Sequence, residues 1–267
     1  MVTKFKQFLD KQNLSTNTVT SYMWTVRYFL SHYGEVTSKN LLAYKGYLVE
    51  SFKPQTVNLR LQGLNKYLEF LKLDKLKMKF VKVQQKNFLE NVISNADYKF
   101  LKTKLKADGY DDWYFVVWFL TATGARVSEL VQIKAEHVQL GYLDIYSKGG
   151  KLRRLYIPKN LRTEAVKWLE KRNITSGYLF LNRFGQRITT RGIAQQLKHF
   201  AEMYGLNRDV VYPHSFRHRF AKNFLDRFND IALLADLMGH ESIETTRIYL
   251  RRTASEQRAI VDKIVNW

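Results

Sequence analysis

The chain has 267 residues, and its 44 Lys and Arg against 24 Asp and Glu give a formal net charge of +20. Apolar residues make up 45%, enough for a sizeable core, which excludes wholesale disorder. The chain has no Cys, which excludes disulfides, thiol catalysis and thiolate metal sites and suits a reducing compartment. The charge excess predicts a polyanionic partner, with nucleic acid ahead of a ribosomal or membrane surface.

Membrane and export signals are not evident in the sequence. The longest apolar run, Trp113 to Ala122, is shorter than the ~20 residues that cross a bilayer. Residues 1–20 alternate charged and apolar side chains and lack the continuous apolar stretch of a signal peptide. We therefore expect a cytoplasmic protein with no membrane partner.

The first part of the chain predicts four helices that end near residue 74. Residues 3–11 form the opening pattern, and a second begins after the capping cluster Ser15-Thr16-Asn17 and closes at Gly34. A shorter apolar pattern follows, and Pro54 stands at the start of the last. The second helix is defined by apolar residues at helical spacing: Val19, Tyr22, Met23, Val26, Phe29, Leu30 and Tyr33.

The composition changes between residues 74 and 90. Charge falls at nearly every second position from Asp74 to Lys82, and residues 84–87 are wholly polar. We interpret this stretch as a basic linker, the alternative being a short edge strand with its lysines facing outward. The predicted organisation is a helical domain over 1–80, a linker over 81–89 and a second domain over 90–267.

The second domain predicts helices around one small sheet. Helical patterns cover 94–107, 111–122 and 126–133, and two acids at 111 and 112 suit the positive end of a helix dipole. Two β-rich segments, Tyr142–Tyr146 and Arg154–Ile157, flank a Gly-Gly turn, which indicates a hairpin. Helices resume from residue 160, interrupted around Gly177 and Gly185. The fold class is mainly α with a small antiparallel β-sheet.

The densest polar cluster lies at residues 212–220. His214 and Arg217 are three positions apart, so on a helix they project from one face and can contact a single phosphate. A basic helix lying along a DNA backbone, with no chemistry, is the alternative interpretation.

A second candidate segment runs from Thr123 to Leu130. Gly124 breaks the apolar helix, Arg126 stands at the start of the next helix where it can meet an anion, and Glu129 can orient Arg126. A plain surface Arg–Glu pair would look the same. On the hairpin, Lys148 or Lys151 can reach into a site, and spacing does not separate them.

The last candidate element ends at Tyr249. Gly239 ends a helix, His240 follows it directly, and Tyr249 lies nine positions further on. Taken alone, Tyr249 is more typical of a core or interface aromatic, since the chain has 16 Tyr.

Together these segments resemble the tyrosine recombinase (phage integrase) family, in the family's order and spacing over roughly residues 90–250. The resemblance rests on Thr123-Gly124-Ala125-Arg126-Val127-Ser128-Glu129-Leu130, the Lys148 hairpin, His214-Ser215-Phe216-Arg217-His218, Leu237-Met238-Gly239-His240 and Thr245-Thr246-Arg247-Ile248-Tyr249. It implies a site made of Arg126, Lys148, His214, Arg217, His240 and the nucleophile Tyr249, with Glu129 supporting. Lys148 is preferred over Lys151 because the family's Lys directly precedes the turn glycine. Phe216 and Arg219 depart from the family's usual Leu and Thr.

The resemblance also implies the architecture. The four helices correspond to a SAM-like core-binding domain for DNA, followed by a catalytic domain. Because the chain begins directly with this unit, we expect the short two-domain, Xer-like or invertase-like type.

The implied reaction is site-specific cleavage and rejoining of duplex DNA through a 3′-phosphotyrosyl intermediate and a Holliday junction. It leads to integration, excision, inversion or dimer resolution. No acidic cluster or Cys/His set accompanies the site and no P-loop is present, so we expect no metal and no cofactor. The alternatives are a catalytically silent repressor or architectural protein and an enzyme like type IB topoisomerases.

The implied assembly is a homo-tetramer on paired sites, with a dimer on each site. Ile260, Ile264 and Trp267 recur at helical spacing and predict a short amphipathic C-terminal helix. We expect this helix to pass to a neighbouring subunit, the alternative being that it folds back on its own domain.

Overall fold

Three separate clusters of buried hydrophobic side chains organise the part of the chain that the structure describes. The structure is a computed structural model that describes residues 2–84, 91–146, 152–240, 242–250, 258 and 261–265. The chain divides into one unit of residues 1–85, which holds one of these clusters, and a second of residues 86–267, which holds the other two.

Unit 1 contains the four helices expected from the sequence. They are α1 (Val2–Asp10), α2 (Thr16–Tyr33), α3 (Ser38–Ser51) and α4 (Pro54–Phe70). Ser15 caps α2 by accepting the Thr18 N–H at 3.2 Å, and Pro54 opens α4, as predicted. The four helices bury a shared core that includes Phe5, Phe29, Tyr44, Leu64 and Tyr67.

The segment after α4 is held against unit 1 by hydrogen bonds to the backbone of Met78 and Val81. A short 3₁₀ turn spans Asp74–Leu76, and residues 77–84 form no strand, so the edge-strand alternative is wrong for these residues. Residues 85–90 lie outside the described part of the chain. Asn65 exchanges two hydrogen bonds with the backbone of Met78, both at 2.9 Å, and Asn58 does the same with Val81 at 2.8 and 2.9 Å. Two side-chain amides of α4 thus form the kind of paired hydrogen bonds with this backbone that a neighbouring strand would form.

Unit 2 is a helical domain with one hairpin. Its elements are α5 (Asn95–Ala107), α6 (Asp111–Thr123), α7 (Val127–Leu130), α8 (Ala135–Leu140), β1 (Tyr142–Tyr146), β2 (Leu152–Tyr156), α9 (Lys159–Lys171), α10 (Thr190–Met203), α11 (Pro213–Phe228), α12 (Ile231–Met238), α13 (Ile243–Arg247) and a 3₁₀ turn (Ile248–Leu250). The apolar helix α6 is buried on nearly all sides and forms the centre of the main core. The predicted fold class is confirmed.

The two strands pair antiparallel, with Tyr142 opposite Tyr156 and Tyr146 opposite Leu152. β2 begins at Leu152 rather than at the predicted Arg154, because its pairing with β1 continues toward the turn. Along β2 the side chains alternate, so that Arg153 and Leu155 face the core while Arg154 faces solvent.

Two of the helix predictions in unit 2 are wrong, one over 126–133 and one over the region after residue 171. The pattern over 126–133 yields only the single-turn helix α7, because Ile133 and the backbone after it bond to distant residues: Leu179 donates to Ile133 and Ala135 to Gly177, both at 2.9 Å. The helix α8 was not predicted. Residues 172–189 are non-helical as a whole, not only around two glycines, and an isolated bridge joins Leu181 to Arg187.

Within the described parts of the chain, none of the helices has the length and apolar character needed to cross a bilayer.

Candidate active site

Helix α11 supplies the centre of the site. Pro213 opens it, and Arg217 lies one turn in, with its side chain fully buried at 1% exposure. The Arg217 guanidinium donates to the carbonyls of Gly124 and Met238, the latter at 2.7 Å. His214 lies one turn before Arg217 on the same helix and is exposed. Desolvation, with Arg217 and Arg126 nearby, lowers the pKa of His214 from its usual value near 6.5.

The corner between α6 and α7 presents a second arginine. Gly124 ends α6 in the left-handed region at φ +63°, and Arg126 is the N-cap of α7. Glu129 accepts the Arg126 backbone N–H at 2.7 Å and its guanidinium at 2.9 Å, through different carboxylate oxygens. Glu129 therefore orients Arg126, as the spacing predicted. The side chain of Glu129 is buried, whereas that of Arg126 is 37% exposed and open to a ligand.

The C-terminal end of α12 gathers three arginines. Gly239 ends this helix in the left-handed region at φ +62°. The last carbonyls of a helix have no partner within it and lie at the negative end of its dipole, so cations suit them. Each of three successive carbonyls accepts a hydrogen bond from a different guanidinium: Leu237 from Arg153 at 2.6 Å, Met238 from Arg217 at 2.7 Å and Gly239 from Arg126 at 3.0 Å.

His240 follows this carbonyl cluster directly. Its Nε2 lies 3.1 Å from the Arg217 guanidinium, and its Nδ1 lies 2.7 Å from the Thr246 hydroxyl. A guanidinium only donates, so Nε2 accepts and Nδ1 carries the proton. Burial, reinforced by Arg217, Arg126 and Arg153, lowers the pKa of His240 to about 4, which keeps its ring neutral at neutral pH.

Tyr249 lies in the 3₁₀ turn after α13 and is 6% exposed. Its ring is nearly parallel to that of His240, with centroids 6.1 Å apart, and lies 5.3 Å from the ring of His218. Burial raises the pKa of the Tyr249 hydroxyl, although a hydrogen bond and charge from Arg217 and the charge of Arg126 oppose this. The phenol therefore holds its proton at neutral pH.

The structure thus brings together Arg126, Glu129, Arg217, His240 and Tyr249, with His214 at the open end of α11. Lys148 and its alternative Lys151 lie outside the described residues. Among the residues that the structure describes, no group of three or more His, Cys, Asp or Glu is placed to hold a metal ion.

Two residues of this site were missed from the sequence. His218 lies one helical turn after His214, its ring 5.9 Å from that of His214, and helical spacing would have found it. Burial, with His214 and Arg217 adding to it, lowers the pKa of His218 to about 4. Arg153 is buried and bonds to Glu129 at 2.6 Å. Strand alternation was its one sequence signal.

Comparison with known proteins identifies the family. The model of the phage integrase family matches residues 85–256. The chain belongs to the phage integrase family. This confirms the resemblance that the ordered motifs indicated.

Relatives and solved structures agree with this assignment over the full chain. The chain is 29% identical to tyrosine recombinase XerA of Pyrococcus furiosus, covering 97% of this chain and 92% of the relative. It is 28% identical to tyrosine recombinase XerD of Listeria monocytogenes, covering 95% and 94%. A Tn1549 transposon integrase in complex with transposon right end DNA has the same fold, with a TM-score of 0.73 at 15% identity over 98% and 99% of the two chains. The XerH recombinase bound to its difH substrate gives 0.70 at 18% identity over 100% and 85%.

Proposed function

We propose that this protein is a site-specific tyrosine recombinase, an enzyme that cleaves and rejoins duplex DNA with Tyr249 as its nucleophile. The observation that carries the proposal is the buried Tyr249 hydroxyl beside the Arg217 guanidinium, in a chain of the phage integrase family. Its full-length relatives are tyrosine recombinases, and solved structures of the same fold hold DNA.

The arginines offset the negative charge that opposes the reaction. A phosphodiester repels nucleophiles through its negative charge, and that charge is concentrated further on the non-bridging oxygens in the pentacoordinate transition state. Arg126 and Arg217 are held by backbone carbonyls before DNA arrives, so they need little rearrangement to contact those oxygens. His240, neutral and fixed by Thr246, supports the same oxygens through the arginine that it contacts.

Tyr249 attacks the phosphorus, its O–P bond forms, and the bond to the 5′ oxygen breaks. The phenolic proton needs an acceptor, because burial keeps Tyr249 protonated. We assign that role to His214, whose lowered pKa keeps it neutral and able to accept a proton. Lys148 would give a proton to the departing 5′ oxygen. The 3′-phosphotyrosyl bond conserves the energy of the phosphodiester, so the reverse attack by a 5′ hydroxyl rejoins the strand. Two such exchanges pass through a Holliday junction.

The partner is duplex DNA carrying paired recombination sites, bound in the cytoplasm by a dimer on each site and a tetramer overall. Residues 261–264 of the tail are helical, and Val261, Ile264 and Val265 are each between 45% and 60% exposed. Exposed apolar side chains on this helical segment favour a groove on another subunit over packing in cis. Ile260 and Trp267 lie outside the described residues.

Replacement of Tyr249 by Phe tests the reaction. An oligonucleotide whose cleaved end diffuses away traps the covalent protein–DNA complex, and the wild type should form it while Tyr249→Phe should not. Specific binding in a gel shift should stay nearly unchanged, because only a hydroxyl is lost. An adduct with Tyr249→Phe would show that the nucleophile is assigned wrongly. No adduct with the wild type would point to a DNA-binding repressor, and an adduct without recombination between two sites would point to a topoisomerase.

Deletion of residues 256–267 tests the assembly. The truncated protein should bind a single site as the wild type does but should pair two sites less well and recombine more slowly. An Ile264→Ser variant gives the same test with the chain length kept, and Lys263→Ser is its matched control on a neighbouring position. Undiminished pairing and recombination by both tail variants would mean that the tail packs only within its own subunit.

A further inference from the structure

Arg153 is a buried cation that the reaction described above does not use. Its side chain is 8% exposed and points from β2 into unit 2. Its guanidinium forms two short hydrogen bonds, to a Glu129 oxygen and to the Leu237 carbonyl, both at 2.6 Å. These partners lie 24 and 84 positions away in the sequence, so one side chain ties the hairpin to α7 and to the end of α12.

The contact to Glu129 reaches Arg126 directly. One Glu129 oxygen accepts both the Arg153 guanidinium and the Arg126 backbone N–H, and the other accepts the Arg126 guanidinium. Arg153 therefore holds the oxygen next to the one that Glu129 presents to Arg126. Its planar guanidinium reaches Glu129 with one nitrogen and Leu237 with the other, a fixed two-pronged geometry that the point charge of an ammonium does not reproduce.

The contact to Leu237 reaches the backbone that leads to His240. The space for this contact is reserved by Gly239, because a Cβ at that position would lie 2.3 Å from Arg153 Cδ. Close approach of Arg153 and a left-handed backbone at Gly239 therefore occur together at the residue before His240.

We propose that Arg153 is a positioning residue of DNA cleavage that acts through Glu129 on Arg126 without touching DNA, and that its contact with the Leu237 carbonyl holds Arg153 itself in place. The proposal rests on the proposed function, because it concerns the geometry of the cleavage site. Misplacing a catalytic group by about 1 Å can cost on the order of a hundredfold in rate. Loss of the two-pronged contact of the Arg153 guanidinium should therefore reduce the rate of cleavage markedly.

Arg153→Lys is the informative variant, because it keeps the buried positive charge but not the two-pronged geometry. We expect it to melt within a few degrees of the wild type and to bind DNA with affinity within about threefold. At saturating DNA it should form the covalent adduct about 10- to 100-fold more slowly. Arg154→Lys is the matched control, since Arg154 is the next residue on β2, faces solvent and pairs with Asp144. It should cleave at the wild-type rate once DNA is saturating.

A double-variant comparison separates positioning from a general structural role. If Arg153 acts through Arg126, then adding Arg153→Lys to Arg126→Lys should slow adduct formation by less than about threefold, because the positioned guanidinium is already gone. A further tenfold loss would show that Arg153 acts elsewhere.

Three results would overturn the proposal. They are a wild-type cleavage rate in Arg153→Lys, a rate loss matched by an equal loss of folded protein or DNA affinity, and full multiplicative loss in the double variant. A wild type that forms no adduct would instead refute the proposed function. Arg153→Gln leaves Glu129 with one partner fewer. If this variant folds, it provides a second measurement of adduct formation, and it should also be slower than the wild type.

Discussion

Replacing Gly124 by Ala should disturb both the stability of unit 2 and the proposed cleavage site, through one close contact with Phe220. Gly124 has φ +63°, and a Cβ built there would lie 2.4 Å from Cδ1 and 2.8 Å from Cε1 of Phe220. The carbonyl of Gly124 also accepts a hydrogen bond from Arg217. A methyl group at this position therefore strains the backbone, presses on Phe220 and shifts an anchor of Arg217, which we propose to be catalytic.

The loss in free energy of unfolding expected for Gly124→Ala has two contributions. A non-glycine residue in the left-handed region costs about 1–2 kcal/mol. Forcing extra volume into a packed core costs about 1–3 kcal/mol. Gly205 has φ +65° and no atom within 4 Å of the place that a Cβ would occupy, so Gly205→Ala carries the first cost alone. The free energy of unfolding should therefore fall by about 1–3 kcal/mol more in Gly124→Ala than in Gly205→Ala.

Urea unfolding followed by tryptophan fluorescence measures this difference, since four of the five tryptophans, all but Trp24, lie in unit 2. Adduct formation at saturating DNA should be slower in Gly124→Ala and unchanged in Gly205→Ala. Equal loss of stability in the two variants would show that Phe220 yields at no cost, and the steric reasoning would then be wrong.

Three further predictions concern solution conditions. If the basic chain neutralises six or more DNA phosphates, log affinity should fall against log salt with a slope of about −5 or steeper, and a nearly flat line in a salt titration would contradict this. Because desolvation and two arginines lower the pKa of His214, the acid limb of the rate at subsaturating DNA should lie below pH 6.5, and a limb at or above that value would exclude His214 as the base. The pKa values of His218 and His240, about 4 when folded against about 6.5 when unfolded, mean that the unfolded chain binds more protons between these limits. Stability should be full above pH 6.5 and fall as the pH drops toward 4, and urea unfolding of His218→Asn at pH 7 and 5 should show a smaller fall than the wild type.

The sequence predicted correctly those helix starts and ends that are set by residues a few positions away. Ser15 as a cap, Pro54 as a helix start and Gly124 as a helix end act within a few residues, and each is found where it was expected. The i, i+3 spacing of Arg126 and Glu129 also specified a real contact, because one helical turn is enough to bring them together.

The features that were missed depend on distant partners. α7 stops at Leu130 because the backbone after it bonds to residues near 177–179, more than 40 positions away. Arg153 looks like one more surface charge of a basic strand until Glu129 and Leu237 are seen beside it. The segment after residue 74 has a linker's composition, yet Asn58 and Asn65 hold its backbone, and nothing in the segment itself records those amides.

The three guanidiniums at the end of α12 have a thermodynamic consequence. Glu129 is the one carboxylate that contacts them among the described residues, so the helix carbonyls hold an excess of positive charge in place at the expense of folding stability. An oxyanion that binds there lowers the energy of the folded state alone, and at a hundred times its dissociation constant it would add about 2.7 kcal/mol. Sulfate or inorganic phosphate should therefore raise the melting temperature more than chloride at equal ionic strength. Under the proposed function, the scissile phosphate would be the counter-ion that neutralises these guanidiniums and stabilises unit 2.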